Sequence, residues 1–305
     1  MSPVLPLDPP HRLVKSLRAH PDGGAAAEWL EALPDLLATV LRRWELTAER
    51  VVAPGGRTGL VVLVRQPDGT PAALKLLAPH RSAAHEAAAL TLWDGWGAVR
   101  LLRADEADGA LLLERLHGEV SLRSLPETKA MLEAASAVRR LWVTPPQPHD
   151  FATVAAHTAD EGALLRAQAP AAVQPLVDEA LELRDGLLAD PPEQVMLHGD
   201  FRQGAVLSAD AERAPWLAVG PEPLVGERAY DLGRLARDRL HDLMASAGAP
   251  AATRRRIGSL ADSLDVDRDR LRGWTVYRAV ESGVRHLLRG ARQDGEALLE
   301  FAGWT

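Results

Sequence analysis

Apolar residues recur along this chain with two different periods, and the switch between them divides it. From Ala25 to Trp44 they fall at helical spacing with few breakers before Pro34, which predicts one or two helices. At Arg50 the period shortens. Val51 and Val52 lead into Pro54-Gly55-Gly56-Arg57-Thr58-Gly59, and Leu60 to Val64 is continuously apolar. Pro67-Asp68-Gly69-Thr70 is a turn signal, and Ala72 to Leu77 is a second apolar run. The pattern predicts a strand, a glycine-rich loop, a strand, a tight turn and a strand. The Ala- and Leu-rich segment Ser82 to Asp94 predicts a helix. Val99 to Arg103 and Ala110 to Leu116 predict two further strands around the turn at Asp105-Glu106-Ala107-Asp108-Gly109.

After Leu116 the helical period returns. Helices are expected over Pro126 to Trp142, Ala152 to Gln168, Val173 to Leu188, Tyr230 to Ala247, Ala252 to Leu264 and Arg268 to Leu288, with a last one over Gln293 to Phe301. A mixed segment, Val195 to Pro223, interrupts them. The expected fold class is α+β, with a β-rich N-terminal lobe over residues 1–116 and a mainly helical C-terminal lobe over residues 117–305.

Composition narrows the partners. Hydrophobic residues make up 47% of 305, enough for a sizeable core. No apolar run approaches the roughly 18–20 residues of a membrane helix. The Pro-rich segment Met1 to Asp22 lacks the basic-then-apolar layout of a signal peptide, and there are no cysteines for disulfides or thiolate metal sites. A cytoplasmic protein is the expectation. A net charge of −7 argues against a nucleic-acid surface. Arg254-Arg255-Arg256 is expected to be a solvated helix face. The partner expected on these grounds is a small molecule, with neither nucleic acid nor membrane; composition says nothing of the oligomeric state.

The chemistry is concentrated in few places. Only three lysines occur, and one of them, Lys75, lies among apolar neighbours. A buried ammonium needs a partner, and Glu86, eleven residues on and in the next expected helix, is the natural one. Gly55, Gly56 and Gly59, with Thr58, form a loop whose backbone could approach phosphates closely; a plain hairpin connection has the same composition. The segment Leu197-His198-Gly199-Asp200-Phe201-Arg202-Gln203-Gly204-Ala205-Val206-Leu207 places a carboxylate, Asp200, in a loop after an apolar strand. The next strand ends in Trp216-Leu217-Ala218-Val219-Gly220-Pro221.

Together these parts resemble the aminoglycoside phosphotransferase superfamily, with a closer likeness to its streptomycin 6-phosphotransferase and hydroxyurea phosphotransferase family. Trp216 to Pro223, the following Gly226-Glu227-Arg228-Ala229-Tyr230-Asp231, Leu111 to Leu116 and Arg270-Leu271-Arg272-Gly273-Trp274 carry the likeness. The resemblance implies a protein-kinase-like bilobal fold with ATP and Mg²⁺ as cofactors. Lys75 and Glu86 would anchor ATP, with Glu114 and Leu116 offering backbone to adenine. Asp200 would be the catalytic carboxylate, Asp231 would brace its loop, and His198 would hold that loop by hydrogen bonds. Family substrates are often cationic, which makes Asp160, Glu161 and Glu281 acceptor-site candidates; acids on exposed helix faces are the alternative reading.

The chain departs from that family where metal should bind. Ala205 replaces an Asn and Gly220 an Asp, and neither offers a side-chain oxygen. Glu222 is a candidate substitute ligand, since residues i and i+2 of an extended segment point the same way. Three readings follow: a degenerate kinase-fold protein with weak or no Mg-ATP binding; a working phosphotransferase acting on a hydroxyl of an antibiotic or related metabolite; or altered chemistry on the same fold. Other sites find no support. His80 and His85 lack zinc-helix spacing, and Ser121, Ser124 and Ser208 lack the context of a serine nucleophile. Trp93, Trp96, Trp142 and Trp274 are expected to be packing residues.

Overall fold

The computed structural model describes residues 8–19 and 23–305. Of the Pro-rich segment Met1 to Asp22, residues 1–7 and 20–22 lie outside the described residues. Two compact units result. One runs to Val120 and takes in Leu207–Val219; the other comprises Ser121–Val206 and Gly220–Thr305.

The first unit begins with helices α1 (His11–Arg18) and α2 (Gly23–Arg43). The sequence pattern did not reveal α1, whose only apolar contact residues, Leu13 and Leu17, form a single i,i+4 pair on its buried face. Helix α2 continues through Pro34 rather than splitting there. Ala26, Leu33, Leu37 and Val40 keep one buried stripe across the proline, so packing outweighs the hydrogen bond that Pro34 cannot donate. These helices pack on a sheet of strands β1 (Thr47–Val51), β2 (Gly59–Arg65), β3 (Pro71–Leu77), β4 (Leu101–Asp105) and β5 (Ala110–Glu114), in the order β1-β2-β3-β5-β4. Every pairing in it is antiparallel. Leu60, Val62, Val64, Leu74, Leu76 and Leu112 join α1 and α2 in one core. Helix α3 (Ala83–Trp93) follows β3; Ser82 caps it by accepting the His85 backbone N–H. Strand β6 (His117–Ser121) forms a smaller sheet with β8 (Val206–Ser208) and β9 (Trp216–Ala218).

The second unit contains helices α4 (Glu127–Arg139), α5 (Val154–Gln168) and α6 (Gln174–Ala189), then the antiparallel pair β7 (Val195–Leu197) and β10 (Leu224–Gly226). Helices α7 (Arg228–Ala236), α8 (Leu240–Met244), α9 (Ala249–Leu264), α10 (Arg268–Leu288) and α11 (Arg292–Ala302) complete it. Its core centres on α10, where Trp274 meets Tyr230 and Tyr277 edge to face at 5.1 and 5.7 Å. Two sequence motifs meet here. Glu227 is buried and accepts Nε of Arg270 at 2.6 Å and Nε1 of Trp274 at 2.6 Å, tying the start of α7 to α10.

Three expectations change. The single helix expected over Tyr230 to Ala247 is broken between α7 and α8. Arg239 adopts φ 54°, and its guanidinium bonds the Gln203 amide oxygen and the carbonyls of Leu122, Arg123 and Leu125. Trp96 is not a core residue; it is 56% exposed. Within Arg254-Arg255-Arg256, Arg256 is not solvated but donates to the carbonyls of Ala236 and Asp238. Among the described residues no helix is long and apolar enough to cross a membrane.

Candidate functional site

In the first unit, β3 places Lys75 between Val61 of β2 and Leu111 of β5. Its ammonium is 8% exposed and meets both oxygens of Glu86 at 2.6 and 2.7 Å. Glu86 itself is 1% exposed on α3. Alternation along β3 and the register of α3 therefore build the pair foreseen from the sequence. The pair sets one buried carboxylate directly against one buried ammonium. The loop bearing Gly55, Gly56 and Thr58 joins β1 to β2, and Gly59 opens β2 opposite Leu77. Glu114 is engaged within its own unit: its backbone N–H donates to the Arg100 carbonyl, and its carboxylate accepts the Arg100 N–H and the Arg213 guanidinium. The Leu116 carbonyl accepts the Gly118 N–H at 3.0 Å. Of the two segments expected to offer backbone to adenine, Glu114 has thus already spent its N–H on the sheet.

In the second unit, the loop after β7 is set by backbone geometry. Gly199 takes φ 80°, and a Cβ there would lie 1.9 Å from the Glu222 carbonyl oxygen. Only glycine lets the two segments touch. Asp231, at the start of α7, accepts the N–H groups of His198 and Gly199, each at 2.8 Å. The bracing expected of Asp231 is present in the geometry, and His198 joins it through its backbone, with its ring packed edge to face on Phe201. Burial pushes the Asp231 carboxyl up to about 6, against the lowering effect of those two N–H groups.

Asp200 has different company. Its side chain is 38% exposed, and its two oxygens accept Nε of Arg202 at 3.1 Å and Nε of Arg234 at 3.2 Å. Burial pushes its carboxyl up, but Arg234, Arg202 and Arg278 outweigh it and hold it well below the ordinary carboxylate range. A carboxylate so held is a poor proton acceptor. Sequence reasoning missed these arginines. The one signal was Arg202, two residues beyond Asp200; Arg234 and Arg278 arrive from distant helices.

The positions expected to hold metal do not fit one. Ala205 is buried in a short 3₁₀ turn, and Gly220 takes φ 66°. That left-handed residue turns the chain, so the extended geometry assumed for Glu222 does not hold. Glu222 is exposed, its N–H donates to the His198 carbonyl, and its charge acts on His157 and Arg285. Among the described residues no three His, Cys, Asp or Glu side chains gather in a group that could hold a metal ion.

The acceptor-site candidates are split. Asp160 is exposed. Glu161 pairs with Arg285 and with His157 at 3.3 Å. Glu281 is not an exposed-helix acid: it is buried and pairs with Arg285 at 2.6 Å. Glu161 and Glu281 thus share Arg285, with Arg237 and Arg278 also acting on Glu281.

Residues 43–290 match the family of aminoglycoside/hydroxyurea antibiotic resistance kinases. The streptomycin 6-kinase of Streptomyces glaucescens is 35% identical over 295 residues, covering 94% of this chain and 92% of that protein. The hydroxyurea phosphotransferase of Kitasatospora aureofaciens is 35% identical over 294 residues, covering 91% and 78%. Among solved structures, a choline/ethanolamine kinase family protein from Mesorhizobium loti superposes with a TM-score of 0.63 at 18% identity, covering 90% of this chain and 92% of that one. A thermostable aminoglycoside phosphotransferase in ternary complex with AMP-PNP and hygromycin B also gives 0.63, at 15% identity, covering 89% and 96%. The fold is protein-kinase-like.

Proposed function

This chain belongs to the aminoglycoside/hydroxyurea antibiotic resistance kinase family, and we propose that it is a degenerate member, a cytoplasmic kinase-fold protein that binds a small-molecule ligand without metal-dependent phosphoryl transfer. The observation that carries this reading is the pair Ala205 and Gly220. Phosphoryl transfer is positioning plus charge neutralisation, with metal ions bridging the phosphates. Neither residue can ligate Mg²⁺, and Glu222 does not take their place. Asp200, clamped by Arg202 and Arg234, is also ill suited to accept a proton from a hydroxyl.

A second reading, an active ATP-dependent phosphotransferase acting on a small-molecule hydroxyl, draws support from the intact Lys75–Glu86 pair. ATP fits the first unit through that pair; Mg²⁺ does not fit the residues present. The two readings separate in one assay. Incubated with Mg-ATP and either streptomycin or hydroxyurea, the protein is expected to yield no phosphorylated product by mass spectrometry. A Mg²⁺-dependent phosphorylated product, abolished by Lys75→Ala, would replace the first reading with the second.

A further inference from the structure

Four arginines of the helical unit surround Asp200, and two of them are buried without an acid of their own. Arg202 and Arg234 each give one Nε to Asp200 and stand at the surface, 34% and 22% exposed. Behind them, Arg278 is 8% exposed. It donates Nη1 to the Tyr230 carbonyl at 3.3 Å and lies over the Tyr230 ring at 4.4 Å, and its Nε has no partner. Arg237 is 7% exposed, donates Nη2 to Ser282 at 2.7 Å, and also has an unpartnered Nε. No carboxylate forms an ion pair with Arg237 or Arg278 among the described residues. Glu281 is bonded by Arg285 at 2.6 Å and feels Arg237 and Arg278 besides. Asp238 lies 3.6 Å from Arg234 and accepts the Gln203 backbone N–H, and burial raises its carboxyl pKa.

The charges act on one another. Burial, then repulsion from Arg234 and Arg278, drives Arg237 well below the usual arginine range, while Glu281 and Asp200 act in the opposite sense. Buried cations in proteins are ordinarily matched by anions. Four guanidiniums, those of Arg202, Arg234, Arg237 and Arg278, share Asp200 and Asp238, while Glu281 acts on Arg237 and Arg278 from its bond to Arg285 and Asp231 acts on Arg278. The planar N–H forks of arginine suit a tetrahedral oxyanion, which offers three oxygens to several donors at once.

We propose that Arg202, Arg234, Arg237 and Arg278 form a metal-free site for the phosphoryl group of a ligand, with Asp200 as the anion that the phosphate displaces. The proposal rests on the degenerate reading in one respect: guanidiniums, not Mg²⁺, neutralise the phosphate. The phosphate belongs either to a nucleotide or to a phosphorylated small molecule.

The test is calorimetric titration of the full chain in chelator with inorganic phosphate, with ATP and with glucose 6-phosphate. Saturable binding of inorganic phosphate is expected. Selective tightening with ATP would assign the source to a nucleotide, and with the sugar phosphate to a phosphorylated metabolite. Arg234→Gln should weaken binding by about tenfold, the scale of one charge-assisted contact. Asp200→Asn should tighten it severalfold, because it removes the competing carboxylate; a purely structural role for Asp200 gives no such gain. Arg202→Gln, at the exposed edge, should weaken binding while leaving the fold intact by circular dichroism. Absence of saturable heat with all three ligands overturns the proposal. So does binding that Asp200→Asn and Arg202→Gln leave unchanged, since the anion would then sit elsewhere. Mg²⁺-dependent phosphoryl transfer would overturn the degenerate reading alone; binding in chelator is a separate readout and decides the anion site by itself.

Discussion

Lys75 and Asp200 sit in different units and balance their charges in opposite ways. Lys75 is met by both oxygens of Glu86 inside a sheet-and-helix frame. Asp200 meets several cations: two guanidiniums hold it, a third acts on it, and a fourth lies among them. The first arrangement sets one acid directly against one base. The second crowds several guanidiniums around one carboxylate, on a loop whose positions 205 and 220 carry no side-chain oxygen. On the degenerate reading proposed above, the Lys75–Glu86 pair serves the stability of one unit while the loop of the other answers a different electrostatic task.

Breaking the Lys75–Glu86 pair should have the largest effect. Lys75→Ala leaves Glu86 as an unmatched buried charge and is expected to cost about 3–5 kcal/mol in urea unfolding. The double variant Lys75→Met with Glu86→Leu should recover most of that loss, since it removes both charges at similar volume. If the double variant is as unstable as the single, the pair is not the matched unit described. In the helical unit, Asp231→Asn turns one of the two oxygens that receive His198 and Gly199 into a donor, and should cost about 1–3 kcal/mol. An unchanged urea midpoint would show that the loop holds without its brace.

Restoring the metal ligands tests the same comparison from the other side. Ala205→Asn with Gly220→Asp should give Mg²⁺-dependent ATP binding by calorimetry. It should also lower stability by about 1–3 kcal/mol, because Asp at position 220 must adopt a left-handed backbone. A folded double variant that still ignores Mg-ATP would place the loss elsewhere, with the committed Glu114 N–H as the first suspect.

The smallest effect concerns pH. The folded Asp200 carboxyl titrates below its unfolded value, near 4, so its contribution is complete above about pH 4 and is lost as pH falls toward its folded value. Because the side chain is more than a third exposed, that contribution is under about 1 kcal/mol. Asp231 works in the other direction. Its folded carboxyl sits at about 6, so its ionisation erodes stability as pH rises from about 4 to 6. Unfolding curves of Asp200→Asn should flatten below pH 4 and stay unchanged between pH 4 and 6. A change confined to the upper window would mean that the two carboxyls have been assigned the wrong way round.

What the sequence revealed and what it hid follow from the range of the interactions. Strand alternation and one helix were enough to pair Lys75 with Glu86. The run from Leu197 to Leu207 marks the loop, and Glu227, Arg270 and Trp274 stand in separate motifs that the fold joins. The break at Arg239 was hidden, because its left-handed backbone is held by carbonyls more than a hundred residues away. The persistence of α2 through Pro34 was hidden for a related reason: tertiary burial of Leu33 and Leu37 overrides a local breaker. The arginines around Asp200 come from a loop and two helices, and no local pattern announces that they converge.

Whether divalent metal matters to this protein separates the two readings. Calorimetric titration with ATP, in Mg²⁺ and again in chelator, asks that directly. Any ATP binding is expected to be as strong in chelator as in Mg²⁺. Micromolar binding that appears only with Mg²⁺ would contradict that expectation, and would mean that the chain holds the metal without the ligands its relatives' family pattern calls for.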